Sequence, residues 1–206
     1  PVLDDAAAFP PEWFVFFREL PQVPLRYYTA VDPAISQQKW ADYTAIVTVA
    51  MDAARNLYVV DCRRDRWGMD EFIDHLFDVC RLYRPVRVGI EEFGFQRVLM
   101  YPIREAMRRQ GVSYPIVPIK VPHRAKSLRI KSLQEYFQVG AIRIREGLHA
   151  LVRELQEYPF GAHDDAADAL ATVIVQMAQA PSETKTEDKN PLLLDNILID
   201  LRNKRR

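Results

Sequence analysis

Six acidic residues fall where a folded chain can use them together. Asp32 closes a β-prone run and precedes Pro33. Glu91 and Glu92 close a second run, Val88-Gly-Ile-Glu-Glu. Asp164, Asp165 and Asp168 open an apolar helical stretch, His163-Asp-Asp-Ala-Ala-Asp-Ala-Leu. Carboxylates brought close to one another repel unless they are protonated or bridged by cations. Hard oxygen ligands select Mg²⁺ or Mn²⁺. Two such ions about 3.5–4 Å apart activate a water and stabilise the leaving oxygen of a phosphodiester. Each residue also has an ordinary reading. An Asp before proline ends a strand, a Glu at a strand end is solvated, and acids at a helix start are favoured by capping and by the helix dipole. Three separate acidic positions, each at the end of an element, point to shared chemistry.

The elements that must position them are legible in the hydrophobic pattern. Residues 27–32, 44–52 and 56–64 are three β-prone runs, the last two joined by a tight turn and the first two by a longer loop. Residues 69–83 carry an apolar stripe (Phe72, Ile73, Leu76, Phe77, Val79, Cys80) and are expected to be helical. Then follow a buried-strand run at 86–91, a helix at 95–110, a strand at 116–121, and a helix from 126 that stops at Gly140. A short extended piece at 141–144 and helices at 148–158 and 164–179 complete the series. Three antiparallel strands followed by strands reached through helical crossovers describe an α/β mixed sheet covered by helices on both faces, the ribonuclease-H-like order. There the first and fourth strands are parallel neighbours, so Asp32 and Glu91 end side by side across about 5 Å. Ligand crevices of open sheets lie at that edge.

The set of segments also resembles a known family. Ala30-Val-Asp-Pro-Ala, Asp42-Tyr-Thr-Ala-Ile, Val88-Gly-Ile-Glu-Glu-Phe-Gly-Phe-Gln and His163-Asp-Asp-Ala-Ala-Asp-Ala-Leu are similar to the C-terminal nuclease domain of phage large terminase subunits. So is the Lys/Arg helix beginning Lys126-Ser-Leu-Arg and ending at Gly140. The resemblance spans about residues 27–178 and implies a metal-dependent endonuclease that cuts concatemeric viral double-stranded DNA during genome packaging. It implies Asp32 and Glu91 as catalytic metal ligands, with Glu92 the lesser choice. The final ligands are implied to come from Asp165 and Asp168, with Asp164 retained as a catalytic candidate; the string Asp165-Ala-Ala-Asp-Ala-Leu-Ala also resembles the helix motif of RuvC-type resolvases. His163 either assists the reaction or simply precedes the helix. The implied cofactors are two Mg²⁺ or Mn²⁺ ions. The implied partners are double-stranded DNA and, in a full-length protein, an ATPase motor domain, a portal and a small terminase subunit, in the host cytoplasm, the isolated domain being a monomer.

Composition sets the outer bounds. The chain has 206 residues, 28 Lys+Arg against 28 Asp+Glu, and 49% hydrophobic residues, which suits one ordinary folded domain. No apolar run approaches the roughly 18 residues that span a bilayer. Cys62 and Cys80 lie in apolar surroundings without metal-ligand spacing and read as buried free thiols. Residues 1–26 carry five prolines and read as a lead-in with a short helix at 11–20; 27–180 read as the nuclease domain, and 181–206 as a polar, then basic tail with one short helix at 192–201. No Gly-x-x-x-x-Gly-Lys-[Ser/Thr] phosphate loop occurs, so an isolated nuclease domain without its motor is expected, with 1–26 as a former interdomain linker.

Zero net charge hides an uneven spread. Between Pro102 and Glu146 stand ten Lys/Arg against three acids. Lys120, His123, Arg124, Lys126, Arg129 and Lys131 gather around the loop and helix that leave the acidic edge, and are the expected DNA-binding set. Lys126 and Arg129, three apart, share a helix face and are the foremost phosphate contacts. Contacts to the backbone imply little sequence specificity. Tyr27, Tyr28, Trp40 and Tyr43 flank the first acidic position as core, rim or stacking residues. Alternatives to the terminase-type endonuclease are a RuvC-like junction resolvase or transposase-type nuclease, and a non-catalytic DNA-binding or docking module. An actin-like ATPase would need a Gly-rich loop where Asp32 is followed by Pro-Ala-Ile-Ser.

Overall fold

The computed structural model describes residues 8–33, 43–91, 96–119 and 126–179, with backbone only at 91, 96–98 and 175–179. The strands are β1 (Val15–Phe17), β2 (Arg26–Asp32), β3 (Thr44–Met51), β4 (Leu57–Asp65), β5 (Arg87–Glu91), β6 (Ile116–Ile119) and β7 (Ile142–Arg145). The helices are α1 (Met69–Tyr83), α2 (Gln96–Gln110), α3 (Lys126–Gln138), α4 (His149–Glu157) and α5 (Asp165–Gln179).

Among the described residues the seven strands form one sheet in the order β1-β7-β4-β3-β2-β5-β6. β2, β3 and β4 are the antiparallel trio. β5 runs parallel to β2, β6 to β5, β7 to β4 and β1 to β7. The ribonuclease-H-like arrangement expected from the pattern is therefore the one found. It follows that β2, β4, β5 and β6 all end at one sheet edge, where β3 begins.

Both faces of the sheet are covered, as near-continuous apolar strands require. Ala45, Val47 and Val49 of β3 face a core shared with Ile130 and Leu133 of α3, Leu151 and Leu155 of α4, and Leu170 and Val173 of α5. Ile46, between them, points the other way to Phe72, Leu76 and Phe77 of α1 and Ile103 of α2. That alternation is the period-two geometry of a strand buried on both sides. α3 ends as its glycine predicts: Gly140 has φ +67°, and the N–H groups of Gly140 and Ala141 donate to the carbonyls of Phe137 and Tyr136. This paired closure satisfies the last helical carbonyls.

One local expectation is corrected. Instead of a helix over 11–20, a single 3-10 turn (Pro11–Trp13) leads into strand β1. Val15, Phe16 and Phe17 suit an extended edge strand, and β1 gains the backbone partners of β7. Phe9 and Phe14 are buried in the α3–α5 core, edge-on to Phe137 at 5.6 and 5.4 Å. Aromatics spaced for helix amphipathicity are used here as anchors on either side of a turn. The tail from 181 onward lies outside the described residues.

Candidate active site

The shared edge of β2 and β5 receives the first acidic residues. Val31 pairs with Ile90, so Asp32 and Glu91 end adjacent parallel strands. The Glu91 side chain, Glu92, Trp40, Lys120, His123 and Arg124 lie outside the described residues.

The last helix arrives at the same edge, with Asp164 as its N-cap: the N–H of Asp168 donates to the Asp164 carbonyl at 2.8 Å. An N-cap Asp ordinarily spends its carboxylate on the second or third helical N–H. Here another residue supplies that oxygen. Glu154 of α4, 3% exposed, accepts the N–H groups of Ala166 (2.8 Å) and Ala167 (3.1 Å) on Oε2, and Arg64 of β4 donates to its Oε1. Asp164 is thereby released from capping, and its Oδ1 lies 2.7 Å from Lys126 Nζ. Nothing in the sequence marks Glu154 for this role. Its position in an amphipathic helix carries no local signal, because the donors it serves belong to a different helix.

Lys126 draws three carboxylates together. Its Nζ lies 2.7 Å from Asp164 Oδ1, 3.6 Å from Asp168 Oδ2 and 3.7 Å from Asp32 Oδ2. Burial alone would lower the pKa of this half-buried ammonium. The Asp164 hydrogen bond and the charges of Asp32 and Asp168 outweigh burial and raise it above the ordinary lysine range. Arg129, one helical turn on and only 8% exposed, turns to Asp168: Nε donates to Oδ1 at 2.8 Å and Nη2 to Oδ2 at 2.7 Å. Burial pushes the Asp168 carboxyl upward against the pull of Arg129 and Lys126. Lys131, by contrast, is exposed.

Asp165, Asp168 and Thr172 share a helix face, and that face is buried rather than turned to water. Asp165 Oδ2 lies 3.9 Å from His163 Nδ1. His163 in turn meets the Tyr43 ring edge-on at 4.7 Å, and Arg64 and Arg66 lie over that ring at 4.3 and 4.5 Å. Tyr43 is thus a rim residue of the acidic edge. Tyr28 is buried, and Tyr27 packs on Tyr83 away from the edge.

No family model matches the chain, and no curated protein matches it by sequence. Solved structures do. The large terminase nuclease of thermophilic phage G20c aligns over 83% of this chain and 98% of its own, at 15% identity and TM-score 0.55. The same nuclease with bound magnesium aligns over 85% of this chain and 99% of its own, at 16% identity and TM-score 0.58. The chain has the large terminase nuclease fold. The large terminase of a second thermophilic bacteriophage aligns over 82% of this chain at 13% identity and TM-score 0.60; the alignment spans 43% of that protein.

On this terminase-nuclease fold the donor set suits a hard divalent cation. Oxygens from Asp32, Asp164 and Asp168 converge on one positive charge, and carboxylate oxygens are what Mg²⁺ and Mn²⁺ take. The oxygens are spaced for an ammonium rather than for Mg²⁺, whose bonds are about 2.0–2.1 Å. Among the described residues, no group of three His, Cys, Asp or Glu forms a ready-made metal cage. No helix among them is long and apolar enough to cross a membrane.

Proposed function

We propose that this chain is a divalent-metal-dependent DNA endonuclease domain of the large terminase type, cutting viral double-stranded DNA during genome packaging. The observation that carries the reading is the meeting of Asp32, Asp164 and Asp168 on one cation at the shared end of β2 and β5. Terminase nucleases, one of them with bound magnesium, share the fold.

Asp32, Glu91, Asp164 and Asp168 are the residues that would hold Mg²⁺ or Mn²⁺, with Asp165 beside them. The metal, when bound, supplies a Lewis acid that activates water and stabilises charge on the leaving oxygen. The chain's own contribution is position. The β2 and β5 ends fix Asp32 and Glu91, the Glu154 cap frees the Asp164 carboxylate, and Arg129 fixes the Asp168 rotamer. Lys131, with Lys120, His123 and Arg124, would carry backbone contacts to DNA, and Arg66 on Tyr43 extends the positive rim. Relaxation and linearisation of a supercoiled plasmid, with Mg²⁺ or Mn²⁺ and with EDTA, tests the reading. Asp32→Asn, Glu91→Gln and Asp164→Asn should each abolish cutting while the circular dichroism spectrum is retained. Full cutting by all three would overturn it.

A further inference from the structure

Resting on the metal-site reading above, we propose that Lys126 is the resident counter-cation of the carboxylate cluster, expelled when a divalent ion enters. Its ammonium contacts oxygens from two elements that meet only in the folded chain, Asp32 of β2 and the Asp164/Asp168 pair of α5. Carboxylates this close need a cation to offset their repulsion. An ammonium and a divalent ion repel each other, so both cannot occupy the point where those oxygens converge.

Lys126 and Arg129 of α3 differ in how they are held. Arg129 is buried, grips Asp168 through two nitrogens and stays. Lys126 is half exposed at the first residue of the helix, on a flexible four-carbon stem, so its ammonium can swing outward while its backbone stays in place. Outward motion leaves a positive charge tethered at the acidic edge, where a DNA phosphate can take it as a partner. Metal loading and phosphate contact are thereby linked. Metal affinity is lowered by the fraction of molecules in which Lys126 is seated, since only the vacated state binds.

The experiment has two arms on the 206-residue chain. In the first, amine-reactive labelling of the wild-type protein is read residue by residue by mass spectrometry, with and without Ca²⁺ or Mg²⁺. Lys126 should label several-fold faster with metal, while exposed Lys131 serves as the unchanged control. In the second, Mn²⁺ binding to wild type, Lys126→Met and Asp32→Asn is measured by electron paramagnetic resonance. Lys126→Met should bind about tenfold more tightly if the seated state holds about nine molecules in ten. Its metal-free form should melt lower than wild type, with Mn²⁺ recovering the difference. If Mn²⁺ binds wild type and is lost in Asp32→Asn, yet Lys126 labelling does not rise, the counter-cation role falls and the metal site stands. Unchanged affinity in Lys126→Met has the same meaning. Should Mn²⁺ bind wild type and Asp32→Asn alike, or neither, the metal-site reading and this inference fall together. The labelling arm uses only wild type and decides the matter even if Lys126→Met does not fold.

Discussion

Arg129 and Asp168 form a two-pronged ion pair between neighbouring helices, Nε to Oδ1 at 2.8 Å and Nη2 to Oδ2 at 2.7 Å, with both side chains almost wholly out of water. A pair of this kind is costly to break from one side, because the survivor is left charged and buried. Asp168→Ala is expected to cost about 3–5 kcal/mol of stability. Asp32→Asn keeps a side chain of the same shape and leaves Lys126 with Asp164 and Asp168, so it should cost less. Urea unfolding of the two variants checks the contrast, and equal losses would remove the distinction between them.

Glu154 links three elements through one carboxylate, joining α4 to the start of α5 and to Arg64 of β4. Glu154→Ala loses the acceptor of two backbone N–H groups and takes the carboxylate partner from the part-buried Arg64 guanidinium, so a loss of about 3–5 kcal/mol is expected. Glu154→Gln keeps an oxygen for the two N–H groups and should lose less. If Glu154 also holds Asp164 free for metal, Glu154→Gln should recover metal-dependent cutting that Glu154→Ala lacks at a temperature where both are folded.

DNA binding separates Lys131 from Arg129 on α3. Lys131 is exposed and free to meet phosphate, whereas Arg129 is spent on Asp168. Lys131→Ala should lower the slope of log affinity against log salt by about 0.9. Arg129→Ala should act chiefly on stability. Fluorescence anisotropy on a duplex over a series of salt concentrations measures both slopes.

The thiols give a pH test. Burial pushes Cys62 and Cys80 from an ordinary 9.0 up to about 12. In the fold both stay neutral where unfolded thiols ionise, so their contribution is fully present below pH 9 and is lost as pH rises toward 12. Iodoacetamide at about pH 8, near the ordinary thiol range, should leave buried Cys80 unmodified and partly buried Cys62 slow to react in native protein, and alkylate both in urea. Rapid native alkylation of Cys80 would contradict its burial.

The amino-acid sequence by itself determined the run of strands and helices, because period-two and period-3.6 patterns and the Gly140 stop are local signals. Those patterns also put Asp32 and Glu91 at neighbouring strand ends and the Asp164–Asp168 group at a helix start, since strand order follows from the element series. The strand Val15–Phe17 was not legible, because three residues carry no period and their partners on β7 lie far along the chain. Nor was the division of labour among the charges. As isolated residues, Asp164 is a natural cap and Lys126 and Arg129 are natural phosphate contacts. Tertiary structure gave the cap to Glu154, the Lys126 ammonium to three carboxylates and the Arg129 guanidinium to a partner 39 positions away. Backbone conformation is set by neighbours in sequence, whereas a buried charge takes whichever opposite charge folding brings within reach, and only packing decides which that is.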